Sequence, residues 1–251
     1  MKFIYFSITA ILISTSSMAQ LQVIISGGFS APYQQMLPQF EKNTGISVKT
    51  LSGASQGTGP KTIKAQLAAG TSVDLVILSR EGLAELVTLG RIMPGTDVDL
   101  AIAPLGAAVP LGSTRPDIST VATFTEALLK ANSIVVPGST SGIYLTTELF
   151  PKLGVAKKIS VKITERGSQA TSLLAAKEVA MAIQPSSELV NIAGIDFIGR
   201  LPNEIQLLQI FAIAITKDST QVDAAKKLIQ FLTSPAAAVP IQNSGMDLIK
   251  R

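Results

Sequence analysis

The sequence predicts an α/β protein built of two doubly wound lobes joined by two crossing strands. Three observations carry that reading. Residues 21–90 repeat a short apolar run, a turn and an amphipathic run three times, as successive βα units of a parallel sheet do. A second α/β set lies between residues 110 and 185. Two long apolar stretches, 100–109 and 206–216, bracket that second set. One domain interrupted by another, with both crossings made as strands, accounts for the pattern. It assigns 20–102 plus 212–251 to lobe 1 and 103–211 to lobe 2. The cleft between such lobes is where a small molecule is expected.

The chain opens with Lys2, a short apolar run and Ser17-Met18-Ala19, the layout of a secretory leader (1–19) cut after Ala19. Export to the periplasm is the expectation. Residues 21–25 read as a buried strand, ended by Ser26-Gly27-Gly28-Phe29-Ser30. Tyr33, Met36, Leu37 and Phe40 then fall at helical spacing up to Gly45. Pro32 fits the first turn of that helix, where a missing N–H costs nothing. Residues 46–51 alternate as a strand. The loop 53–61 is rich in glycine and ends in Lys61, but it has no Gly-Lys pair, which excludes a Walker phosphate loop. A flexible turn meeting a helix start beside a lysine is left. Residues 73–78 are nearly all apolar, as in a strand covered on both faces. Ser79 and Arg80 stand at its C-terminal end, where open α/β sheets bind ligands.

The second set starts with a helix over 121–131 and a strand over 133–136. Pro137 and Gly138 stop the strand, and Ser139, Thr140 and Ser141 crowd hydroxyls before a helix through Ile143, Leu145, Leu149 and Leu153. A strand, a hydroxyl-rich turn and a helix start make a ready anion site, because the first turn carries free N–H groups and a positive dipole end. The same residues also suit plain capping. A strand at 161–164, a helix at 168–177 and a strand at 179–183 follow. The helix at 222–232 repeats its apolar positions every three or four residues.

Composition excludes several classes. The 251 residues contain no cysteine, so there is no disulfide, thiolate metal site or cysteine nucleophile. Histidine is also absent, which removes the commonest general base and metal ligand and any Ser-His-Asp triad. No metal and no cofactor is expected. Without Lys2 the 21 basic residues become 20 against 17 acidic, a net of +3, with no basic run and no tryptophan. Nucleic acid is therefore not an expected partner. A mild positive balance suits a small anionic ligand.

Several segments carry a family resemblance: Ser26-Gly-Gly-Phe-Ser30, Gln39-Phe-Glu-Lys-Asn-Thr-Gly45 and Leu67-Ala-Ala-Gly-Thr-Ser-Val-Asp-Leu75. Ser141-Gly-Ile-Tyr144, Phe150-Pro-Lys-Leu-Gly154 and Ala225-Lys-Lys-Leu-Ile-Gln-Phe-Leu232 extend it over nearly the whole chain. In these the sequence resembles type 2 periplasmic solute-binding proteins of the molybdate-binding branch. The resemblance implies the Venus-flytrap form of the two-lobe fold, a monomer, and delivery of a solute to an ABC-transporter permease. Molybdate binders hold their dianion with hydroxyls and backbone N–H groups. Their first serine falls on Gly28 here, their helix-start alanine on Ser141 and their tyrosine near Gln184. Arg115-Pro-Asp-Ile-Ser119, Ser139-Thr-Ser-Gly-Ile-Tyr144, Ser187-Glu-Leu189 and Gly194-Ile-Asp196 are similar to the sub-branch that includes aconitate isomerase.

Lys61, Arg80 and Arg166 lie in loops facing the expected cleft, and arginine forks match carboxylates bidentately. A small organic polyanion is therefore the expected ligand, and the resemblance to the aconitate isomerase sub-branch implies a di- or tricarboxylate such as aconitate. The expected binding set is Gly27, Gly28, Ser30, Lys61, Arg80, Ser139, Ser141, Arg166, Gln169 and Gln184. The resemblance implies three candidate functions for it: a receptor for that anion, an isomerase interconverting cis- and trans-aconitate, and an oxyanion binder for molybdate, tungstate or sulfate. Without histidine, the isomerase would draw its acid and base from Lys61, Glu188, Glu165, Tyr144 or bound water, with Lys61 and Glu188 as the catalytic candidates.

Overall fold

The structure is a computed structural model that describes residues 20–250. The leader expected at 1–19 lies outside the described residues. In lobe 1, β1 (Leu21–Ile25) pairs in parallel with β2 (Val48–Ser52) and β3 (Leu75–Ser79). Helices α1 (Ser30–Thr44), α2 (Ile63–Ala68) and α3 (Arg80–Thr88) alternate with these strands. Strand alternation explains why both faces need cover. Val23 and Ile25 join one core with Phe29, Tyr33 and Phe40, whereas Ile24 joins another with Leu83 and Leu86. Gly45 closes α1 in the left-handed region (φ 70°), and its N–H donates to the Glu41 carbonyl (2.8 Å).

The long strand β4 (Val98–Pro110) links the lobes. Its neighbour changes along its length, and that change makes two lobes of one sheet. From Val98 to Pro104 it pairs antiparallel with β9 (Leu208–Ile215), which also pairs with β3. From Leu105 onward it pairs instead with β7 (Met181–Pro185) and β8 (Ile195–Arg200). The continuous strand order is β2-β1-β3-β9-β4-β7, extended by β5 (Ser133–Pro137) and β6 (Ser160–Thr164). In lobe 2, β5 lies parallel to both β6 and β7.

The helices of lobe 2 form where the sequence places them. Helix α4 (Val121–Ala131) starts in a reciprocal capping box between Thr120 and Thr123. Helix α5 (Thr140–Tyr144) continues through a π-helical turn, Leu145–Leu149, into α6 (Phe150–Lys152). Helix α7 (Gly167–Ala175) follows β6. Val135 packs with Ala170 and Leu174 on one face, while Ile134 and Val136 join Phe124, Leu145 and Phe150 on the other. Back in lobe 1, α8 (Val222–Leu232) lays Ala225, Leu228 and Leu232 on the core, followed by α9 (Ala238–Asn243) and β10 (Asp247–Leu248). Among the described residues no helix is long and apolar enough to cross a membrane.

Candidate functional site

The carboxyl ends of β1, β2, β5, β6 and β7 converge on the space between the lobes, and the turns after them build its walls. The result is a cavity of about 310 Å³, near the lower end of small-molecule sites. Lobe 1 contributes Ser26, Gly27, Gly28, Ser30 and Ser55; lobe 2 contributes Ser139, Ser141, Arg166, Ser168 and Glu188. Gln209 and Phe211 on β9, which pairs with β3 and the lobe 1 half of β4, form part of the lining. A larger hollow of about 740 Å³ lies at the opposite end of lobe 2, by Ser133 and Met181. Those are the amino ends of β5 and β7, away from the ligand side of such sheets.

Glycine at 28 is a packing requirement: a Cβ there would stand 2.1 Å from the Phe211 ring. Glycine at 142 lets α5 pass close to β5, since a Cβ would stand 1.6 Å from the Pro137 carbonyl oxygen. Ser139 occupies the N-cap position of α5, yet its side chain makes no capping bond. Its Oγ instead accepts the backbone N–H of Gln56 from the other lobe (3.3 Å). Ser26 Oγ and Gln209 Oε1 are buried and have no hydrogen-bond partner among the described residues. Polar atoms left so are costly unless a ligand or water meets them.

Arg166 stands at the N-cap of α7. Its Nη1 donates to Ser52 Oγ of the other lobe (2.7 Å), and no carboxylate of the described residues pairs with it. Arg80 is differently placed. Its Nη1 donates to Asp97 (2.5 Å) and its Nε to Asp99. Burial pulls its pKa down, but the hydrogen bonds to Asp97 and Asp99 outweigh it and hold the guanidinium above its ordinary range. The fork is occupied, and Arg80 does not line the cavity.

Glu188 ends the short 3-10 turn Ser186–Glu188 after β7 and lines the cavity. Burial pushes its carboxyl up to about 7, against a smaller downward pull from Arg166. Ser187 beside it is tied across the lobes, its Oγ donating to the Gly28 carbonyl (2.6 Å).

The structure thus brings together Gly27, Gly28, Ser30, Ser139, Ser141, Arg166 and Glu188 in one lining. Lys61 lies instead in a side chamber of about 240 Å³ that shares Ala54 and Glu165 with the main cavity. Gln169 is exposed on α7 and outside the lining. Gln184 is fully buried beneath it, its Nε2 donating to the Glu188 backbone carbonyl (3.0 Å). Tyr144 gives its hydroxyl to the Ile205 carbonyl (3.0 Å) and does not reach the cavity. Sequence reasoning missed Ser55, Gln209 and Phe211 as cavity residues. A polar glutamine within the apolar run 206–216 was the one available signal.

A clasp closes one side. Gln56 Nε2 donates to Glu85 (2.7 Å), and Thr140 Oγ1 donates to Gln56 Oε1 (2.8 Å). Thr140 Oγ1 also lies 2.8 Å from Ser79 Oγ, which must then be the donor, since the Thr140 proton is committed to Gln56. Burial would raise Glu85, but hydrogen bonds from Lys64 and Gln56 hold it below the usual carboxylate range.

Two α/β lobes, a shared strand and a polar cleft define the type 2 periplasmic-binding-protein fold, of the molybdate-binding-like branch. The sequence profile of the bacterial extracellular solute-binding proteins matches residues 21–247, and the chain belongs to that family. It is 31% identical over 236 residues to an aconitate isomerase from Pseudomonas sp, covering 94% of this chain and 90% of the relative. The periplasmic molybdate-binding protein of Azotobacter vinelandii superimposes with a TM-score of 0.73 at 20% identity, covering 92% of this chain and all (100%) of the other. The sulfate-binding protein SubI of Mycobacterium tuberculosis H37Rv gives 0.72 at 16% identity, covering 92% and 87%. At these identities the two structures show a shared fold.

Proposed function

We propose that the cleft binds a small organic polycarboxylate of the aconitate class, in the periplasm, by a monomer that closes around it. The observation that carries this reading is Arg166, a cleft guanidinium that no carboxylate of the described residues neutralises. Such a fork suits a ligand carboxylate. The hydroxyls of Ser26, Ser139 and Ser141 supply neutral donors for the remaining oxygens. The identity to a relative named aconitate isomerase supports the same ligand class. As a receptor, the protein would hand this anion to an ABC-transporter permease.

A second reading, turnover of the bound acid, is favoured by Glu188. A receptor for anions gains nothing from a carboxyl in its lining, whereas interconversion of unsaturated acids requires a proton acceptor and donor. One titration tests the ligand class. Isothermal calorimetry of the protein with cis-aconitate, trans-aconitate, molybdate and sulfate should give heat from the carboxylates. Binding of molybdate or sulfate alone would overturn the reading. Chromatography of the same mixtures shows whether one aconitate isomer becomes the other.

A further inference from the structure

We propose that Glu188 is the catalytic acid–base residue of this cleft, moving a proton between two carbons of a bound unsaturated polycarboxylate; the inference rests on the ligand class proposed above. Three observations support it.

The first is room made for its carboxyl. A Cβ on Gly27 would stand 2.0 Å from Glu188 Oε1, and a Cβ on Gly167 would stand 2.3 Å from the same atom. Neither glycine lies in the left-handed region, so the backbone does not require glycine at either place. The carboxyl occupies space that the two leave, one from each lobe, and a Cβ at either place would displace it. The second is that the carboxyl is uncommitted. Among the described residues it has no hydrogen-bond partner and no ion pair, and only its backbone carbonyl is engaged, by Gln184. The third is the lack of a competitor. The other titratable groups of the lining are Glu165, which is exposed at the mouth, and Arg166. Lobe 1 and β9 contribute no titratable side chain to the lining: their residues there, from Ser26 and Gly27 to Gln209 and Phe211, are all neutral.

The step balances within the site. Glu188 takes a proton from a methylene flanked by a carboxylate and a double bond, and the released pair delocalises as the double bond moves by one position. The same carboxyl can then return a proton to the former vinylic carbon, so one C–H bond breaks and one forms. No oxidant, reductant or water is consumed. Arg166, which lines the same cavity and whose charge reaches Glu188, would stabilise the charge that develops on the substrate. A carboxyl titrating near 7 is suited to both directions of transfer.

The test compares wild type, Glu188→Gln and Gly167→Ala, with trans-aconitate as the probe. Calorimetry reads binding; proton NMR in D2O reads isomerisation and deuterium entry at carbon. Wild type should bind and exchange. Glu188→Gln should bind within about threefold of wild type, or tighter, yet lose exchange and turnover by at least about 100-fold. Gly167→Ala, which keeps the carboxyl but displaces it, should bind and lose turnover by about 10-fold or more. Turnover within threefold of wild type in Glu188→Gln would overturn the assignment and leave the ligand class standing. Binding by wild type without exchange or turnover would overturn it in the same way. Absence of binding by wild type would overturn the ligand class itself.

Discussion

Arg166 and Glu188 stand in the same cleft with opposite needs. The half-buried guanidinium of Arg166 keeps its charge at any working pH. Its removal should act on affinity: Arg166→Ala should weaken trans-aconitate binding by roughly 10- to 100-fold, the worth of about 1.5–3 kcal/mol for a hydrogen bond to a charged group. Calorimetry measures this, and an unchanged affinity would remove Arg166 from the binding set. Glu188 pays a desolvation cost that shows in stability. Its carboxyl ionises at its ordinary 4.5 when the chain is unfolded and at about 7 in the fold. Between those values the folded protein holds a proton that the unfolded chain has released. Stability therefore falls as pH rises from about 4.5 to about 7, and stays at the lower level above. Glu188→Gln has no charge to bury, so at pH 8 it should exceed wild type by on the order of 2 kcal/mol, a Tm gain of about 4–8 °C. At pH 4 the two should match. A calorimetric Tm difference independent of pH would show that the carboxyl is not desolvated.

At the scale of elements, most of the fold was legible because its signals are local. The βα periodicity, Gly45 ending α1 and the apolar stripe of α8 each sit within a dozen residues. The helix α4 was legible over 121–131, whereas its capping box at Thr120 shows only in the structure, and Thr120→Ala should cost about 1 kcal/mol and 2–4 °C in Tm. An unchanged Tm would mean that the box adds nothing to water's own capping. The site was legible to the extent that it depends on strand ends. Ser139, Ser141 and Arg166 were found as turn residues, and all three line the cavity. What escaped were pairings across long sequence distance. Arg80 is at a strand end as expected, but Asp97 and Asp99, which occupy its fork, come from the entry into β4. Ser139 has the sequence of a cap, yet its hydroxyl answers Gln56, 83 positions away. Strand β8, which leans on the far half of β4, had no run strong enough to announce it. Local pattern sets an element; only the folded chain decides which side chain meets which.

For the whole molecule, the decisive fact is that no apolar core of the described residues spans the cleft. Two apolar clusters belong to lobe 1 and two to lobe 2, and they divide where β4 changes partners. What holds the lobes together across the cleft is polar: Ser187 to Gly28, Arg166 to Ser52, Thr140 to Gln56 and Ser79, and Gln56 to Ser139. Bonds of this kind exchange for bonds to water and contribute only about 0.5–1.5 kcal/mol each. They must also offset the ordering of the loops that make them. A balance this fine leaves closure to be decided by a ligand that touches both lobes at once. Gln56 joins Glu85, Thr140 and Ser139, so Gln56→Ala should lower trans-aconitate affinity by about 5- to 30-fold with no change in ligand-free Tm beyond a degree or so. Small-angle scattering should show the wild-type radius of gyration falling when trans-aconitate is added, and the variant needing more ligand for the same fall. An identical radius with and without ligand would mean that the polar clasp closes the lobes unaided. In that case Gln56→Ala should enlarge the ligand-free molecule instead.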